Sequence, residues 1–159
     1  MKEYLGQMSD KMGIDRNVKF LGQVSHWDLP YYYSICDIFV LSSVRESLGW
    51  VYIEAATRKK PIITTATVGA KELIKDSYNG FIVPLKDYRR MAAKIIFLAE
   101  NRNLIDDMGE NNFNYIKKLG YFVHYGQRML KVKYMWERTL WEYSESRKEE
   151  VNSVYIKSN

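Results

Sequence analysis

Three short runs of β-forming residues, Ile38–Leu41, Pro61–Thr65 and Phe81–Val83, are separated from one another by stretches with helical spacing. That rhythm constrains the fold more than any other feature. Parallel strands are joined by crossovers, usually helical and nearly always right-handed, so alternating strands and helices imply a parallel sheet flanked by helices. Ile38-Phe39-Val40-Leu41 is continuously apolar with β-branched members, which predicts a strand buried on both faces. A further strand is expected at Val18–Leu21, stopped by Gly22. Helices are expected over residues 1–12, ended by Gly13, and over Trp27–Ile35, where Pro30 is tolerated in the first turn. Others are expected over Trp50–Lys59 and around Ala70–Lys75. After Pro84 the strand signal stops, and Tyr88–Glu100, Leu104–Leu119 and Tyr125–Ser146 read as helices. The expected architecture is one α/β, Rossmann-like domain over residues 1–146, with a strand-helix core at 14–84, a helical region at 85–146 and a polar tail at 147–159.

A chain of 159 residues suits a single domain with a real core. The lone cysteine, Cys36, rules out an internal disulfide framework and a cysteine-based zinc site. No apolar run is long enough to span a bilayer, and the first residues lack the basic-then-apolar pattern of a signal peptide. The formal charge of +5 is spread among acidic residues, as in Arg147-Lys148-Glu149-Glu150, and reads as a solvated surface. Without aromatic-basic alternation on a strand, no nucleic-acid partner is expected.

In open parallel sheets ligands bind beyond the carboxyl ends of the strands. That rule selects the loops after Leu21, Leu41, Thr65 and Val83. The loop after Leu41 carries two serines, then Glu46, then Ser47-Leu48-Gly49 running into a helix. A helix start favours an anion such as a diphosphate, and Gly49 lets a ligand approach the backbone closely. Glu54, eight residues after Glu46, could accept two hydrogen bonds from a vicinal diol such as that of a ribose. Glu46 could do the same for sugar hydroxyls. The plainer alternatives stand beside these: Glu46 as a charge complementing the helix dipole, and Glu54 as an acid on the helix rim.

The surrounding segments resemble the C-terminal domain of the retaining glycosyltransferases of family 4, of GT-B fold (glycosyl transferases group 1). They are Val18-Lys19-Phe20-Leu21-Gly22, Tyr33-Ser34-Ile35-Cys36-Asp37-Ile38-Phe39-Val40, and Ser42-Ser43-Val44-Arg45-Glu46-Ser47-Leu48-Gly49. Glu54-Ala55-Ala56, Pro61-Ile62-Ile63, Gly69-Ala70-Lys71-Glu72-Leu73-Ile74 and Asn79-Gly80-Phe81-Ile82-Val83 follow in order and spacing. The likeness implies transfer of a hexose from a UDP- or GDP-sugar with retention, without metal or other cofactor. Glu46 matches the first glutamate of the family's E-x7-E pair, which contacts the donor sugar. The amides of Ser47, Leu48 and Gly49 match those facing sugar and diphosphate. Glu54 matches the glutamate that binds the ribose hydroxyls, and Gly22 with Gln23 the place where the base rests.

Two departures carry consequences. Lys59 stands where the family usually has glycine, and a left-handed backbone there would cost it about 1 kcal/mol. The family's first strand-helix-strand unit, whose arginine and lysine grip the phosphates, and its acceptor-binding half have no counterpart in this sequence. The chain alone is therefore expected to show little or no turnover, with a glycan or lipid-linked acceptor engaged through that other half. Val18–Leu21 would then pair directly with Ile38–Leu41, or a second chain would fill the gap, which makes a homo-oligomer an expected partner. Rival readings are a non-enzymatic nucleotide- or nucleotide-sugar-binding module and an oligomerisation remnant. A cytoplasmic location, including the inner membrane face, is expected.

Other candidates have plain readings. His26 belongs to a helix-starting turn, and His124 is far from it in sequence. Asn79-Gly80 reads as a turn, Gly69 as a possible source of amides near a ligand, and Lys71 as a replacement phosphate cation. Met129, Val132, Met135, Trp136 and Leu140 share one helical face that reads as core, with Trp136 and Trp141 available to an oligomer.

Overall fold

The computed structural model describes residues 2–47 and 49–120. They fall into two compact units dividing after Ser25. The expectations for Tyr125–Ser146, His124, the Met129–Trp141 face and the tail lie outside the described residues.

In the first unit, α1 (Lys2–Lys11) ends as its sequence predicts. Gly13 takes φ +67°, the Gly13 N–H donates to Asp10 O at 3.0 Å, and the Ile14 N–H donates to Ser9 O at 3.0 Å. This pair of bonds satisfies two carbonyls that the helix end would leave orphaned. A 3-10 turn at Asp15–Asn17 follows. The strand expected at Val18–Leu21 is absent: these residues form no strand, and Val18 and Leu21 are about two-fifths exposed, 37% and 41%. A strand exists only when its backbone pairs with another, and the described residues of this unit contain no second strand.

In the second unit, β1 (Phe39–Leu41), β2 (Ile62–Thr65) and β3 (Gly80–Val83) form a parallel sheet in the order β1-β2-β3. Phe39 lies opposite Ile62, and Ile62 opposite Gly80. α3 (Trp50–Thr57) and α4 (Val68–Leu73) join the strands, α2 (Leu29–Ile35) precedes them, and α5 (Tyr88–Glu100) and α6 (Arg102–Lys118) follow. Side chains alternate across a strand, so Ile62 joins the cluster holding Tyr33, Ile53 and Leu73, while Ile63 joins Phe81, Leu98 and Met108. Helices thus cover both faces. Ile62 and Ile63 are wholly buried, each contributing roughly 1.5–3 kcal/mol.

The strand at Ile38–Leu41 is shorter and less buried than its composition predicts. Val40 is 37% exposed, and among the described residues β1 has one hydrogen-bonded neighbour, β2. Continuous apolar composition does not distinguish an edge from a centre.

Glycine at β3 is a packing requirement: a Cβ on Gly80 would lie 2.1 Å from Ile62 O. Beside it, Asn79 is fully buried and serves as more than a turn residue. Its Oδ1 accepts from the Lys75 N–H at 2.7 Å, and its Nδ2 donates to Leu73 O at 3.1 Å. Asn112 of α6 completes the knot, its Nδ2 donating to Asn79 O at 2.6 Å and Lys60 O at 2.7 Å.

Lys59 adopts φ +55°, the left-handed conformation that its position implies. Its ammonium pairs with Glu110 at 2.7 Å, with both side chains about half exposed, and lies over the Phe113 ring. An exposed pair contributes little. Urea denaturation of Lys59→Gly and Lys59→Ala is expected to separate backbone from side chain. Both lose the ion pair, but only alanine keeps the left-handed strain, so it should be about 1 kcal/mol less stable than the glycine variant. Equal stabilities would place no strain at this turn.

Candidate functional site

The loop from Ser42 to Gly49 leaves the carboxyl end of β1 and enters α3. It is anchored from below. Thr64 Oγ1 donates to Leu41 O at 3.0 Å, and Thr65 Oγ1 donates to Ser43 O. The Tyr52 hydroxyl sits 2.7 Å from Thr64 Oγ1 and is its donor while Thr64 gives its own proton to Leu41. From α4, the Gly69 N–H donates to Glu46 O at 3.0 Å. Two buried threonines in an apolar strand thus hold the loop's carbonyls, which accounts for their presence in the core.

At the loop's end Gly49 takes φ +67° and ψ +64° and is buried. Its carbonyl accepts the Tyr52 N–H at 2.8 Å, the first bond of α3, and its N–H donates to Glu46 Oε1 at 3.1 Å. The Glu46 carboxylate therefore lies at the positive end of α3, the dipole-complementing placement that its position in the sequence allows. Ser47 is exposed. Leu48 lies outside the described residues.

Glu54 lies one turn further along α3 and is only 8% exposed, which removes the helix-rim alternative. Its Oε2 accepts from the Tyr33 hydroxyl at 2.9 Å. No other described residue donates to this carboxylate. Tyr33 thus takes one of about four acceptor positions on the carboxylate, and the others are left without a donor among the described residues.

Several expectations separate here. Glu46, Ser47, Gly49 and Glu54 all belong to the second unit, on one loop and the helix it starts. Gly22, at φ +73°, and Gln23 belong to the first unit. Gly69 brings no open amide, because its N–H is already bonded to Glu46 O. Lys71 is exposed in the last turn of α4, and His26 is exposed beside Trp27. Burial pushes the Cys36 thiol up from its usual range, offset in part by Lys60, and the thiol donates weakly to Tyr33 O at 3.5 Å. Among the described residues, no three His, Cys, Asp or Glu side chains gather as a metal-binding group, and no helix is long and apolar enough to cross a membrane.

Tyr33 escaped the sequence-based list. Three consecutive tyrosines, Tyr31 to Tyr33, hide which one faces inward; the one available signal was that a matching family segment begins at Tyr33.

Residues 1–115 match the model of the family described as glycosyl transferases group 1. The chain belongs to this family. It is 31% identical over 103 residues to the putative glycosyltransferase EpsD of Bacillus subtilis, covering 65% of this chain and 26% of that protein. It is 35% identical over 95 residues to the capsular polysaccharide biosynthesis glycosyltransferase CapM of Staphylococcus aureus, covering 60% of this chain and 24% of that one. The chain thus spans about a quarter of the length of these relatives. The C-terminal domain of the group 1 protein LpcC from Francisella tularensis superposes with a TM-score of 0.69 at 27% identity, over 74% of this chain and 60% of that domain. HepE of Anabaena, in complex with UDP-glucose, superposes with a TM-score of 0.70 at 25% identity, over 84% of this chain and 36% of HepE. The parallel sheet with helices on both faces is thereby the α/β fold of GT-B glycosyltransferases.

Proposed function

We propose that this chain supplies the donor half of a retaining, metal-independent hexosyltransferase of family 4. Glu54 would bind the ribose diol, Glu46 the donor sugar, and the amides of Ser47, Leu48 and Gly49 the sugar and diphosphate. A role for Gly22 and Gln23 beside the base rests on the sequence resemblance alone. The observation that carries the reading is Glu54: a buried carboxylate with a single donor among the described residues, on the helix that the αL glycine Gly49 opens. The UDP-glucose held by HepE supports a nucleoside-diphosphate sugar as the ligand class. On this reading the Glu46 carboxylate releases the Gly49 N–H when donor phosphate arrives, so the helix end exchanges one anion for another. The acceptor, a glycan or a lipid-linked saccharide, would be bound by a further half that the longer relatives have room for, in the cytoplasm or at the inner membrane face. The isolated chain would then bind donor without appreciable turnover.

Calorimetric titration tests this. UDP or GDP should bind the chain, and Glu54→Ala should weaken binding by roughly 10- to 100-fold, the effect of losing hydrogen bonds to a charged acceptor. Undiminished affinity in Glu54→Ala, with its thermal transition intact, would remove the ribose role. Absence of any nucleotide binding would favour an oligomerisation module instead.

A further inference from the structure

We propose that Tyr33 is a positioning residue of the donor site, holding one oxygen of Glu54 so that the other is presented to the ribose diol; this rests on the donor-site reading above. Glu54 has three side-chain torsions and would lose considerable rotamer freedom on binding a diol unless it were already held. Tyr33 supplies the hold from another element. Its ring is 6% exposed and packs edge-on against Phe39 of β1, with centroids 5.5 Å apart. Its hydroxyl reaches across from α2 to α3, 21 residues away in sequence, to donate to Oε2 at 2.9 Å. That leaves Oε1, to which no described residue donates. Every buried side-chain oxygen among the described residues has a partner, so Oε1 is the atom still reached by solvent. An ionised carboxylate has about four acceptor sites, and Tyr33 occupies one. Oε1 and the remaining lone pair of Oε2 are a geometry that two adjacent hydroxyls can engage together. The hydroxyl also works by exclusion: with Oε2 tied to Tyr33, the carboxylate cannot rotate to satisfy itself elsewhere.

A purely structural Tyr33–Glu54 pair would produce the same contact, so the test must read selectivity. The ligands are UDP and 2′,3′-dideoxy-UDP, titrated into wild type, Tyr33→Phe, Glu54→Gln and the double variant, each with a thermal melt. Phenylalanine keeps the ring packing against Phe39 and removes only the hydroxyl. Tyr33→Phe should weaken UDP roughly tenfold, as for a lost hydrogen bond to a charged group. The dideoxy nucleotide, having no diol to present, should change by less than about twofold, and in the Glu54→Gln background Tyr33→Phe should add less than about twofold to the loss for UDP. Equal weakening of both nucleotides by Tyr33→Phe would overturn the proposal in favour of a structural pair, and so would no weakening of either. Failure of wild type to bind UDP, or of Glu54→Gln to weaken it, would overturn the donor-site reading and this inference with it. That failure is distinct from the loss of coupling at Tyr33 alone.

Discussion

Replacing Gly49 by alanine is expected to abolish nucleotide binding and to destabilise the domain by roughly 2–5 kcal/mol, through backbone strain and overpacking acting together. The added Cβ would lie 2.3 Å from Tyr52 Cδ2 and 2.5 Å from Tyr52 Cε2, well inside contact distance. Tyr52 cannot easily retreat. Its ring is wholly buried, and its hydroxyl is held at Thr64, whose own bond to Leu41 O fixes the end of β1. The backbone cannot relax either, because φ +67° is the conformation that places the Gly49 carbonyl on the Tyr52 N–H and the Gly49 N–H on Glu46. Alanine is strained there whatever space is made. The measurement is a circular dichroism melt paired with a UDP titration. A wild-type melt with lost binding would confine the role of Gly49 to the ligand. Wild-type behaviour in both would show that the loop has another way into α3.

Gly109→Ala is expected to cost at least as much, about 3 kcal/mol or more, as overpacking of one rigid element against another. The Cβ would lie 2.0 Å from Lys59 O and 2.7 Å from the Lys59 carbonyl carbon. Both partners are backbone, so no side-chain rotation relieves the clash; α6 would have to lift from the turn that joins α3 to β2. Lifting it also breaks the bonds of Asn112, one turn further on, to Lys60 O and Asn79 O. The buried Asn79 carbonyl would then lose this partner at a cost of about 1–3 kcal/mol, and the partly buried Lys60 carbonyl would lose its own at less. Urea denaturation checks this, with Asn112→Leu as a companion. If Gly109→Ala unfolds with a wild-type midpoint, the close approach of α6 to Lys59 contributes nothing to stability.

How much of this was legible in the sequence differs residue by residue. The end of α1 at Gly13, Pro30 in the first turn of α2, and the spans of α3, α5 and α6 to within a few residues all follow from local rules. Gly49 was legible as a glycine that the loop requires, but the neighbour that requires it in the structure is the Tyr52 ring, which no local pattern announces. The unusual lysine at 59 was legible as a left-handed position carrying a penalty. By contrast, the short run Val18–Leu21 promised a strand that has nothing to pair with among the described residues of its unit, and Val40 was read as buried when it is partly exposed. Asn79 and Asn112 are 33 residues apart, and neither has a sequence context that announces the other.

By itself, then, the sequence determined the alternation of strand and helix, the sheet's parallel sense, the family, and the loop at which to look for a ligand. These depend on contacts within a few residues, on the handedness of crossovers, and on motif spacing, all of which a linear pattern records. Only the tertiary structure decided that β2 is the central strand of the described sheet and that Gly80 and Gly109 are spaces required by a neighbouring backbone. It also placed Glu54 inward with Tyr33 holding one of its oxygens. Those outcomes depend on which distant groups meet, and on the cost of leaving a buried polar atom unpartnered once they do.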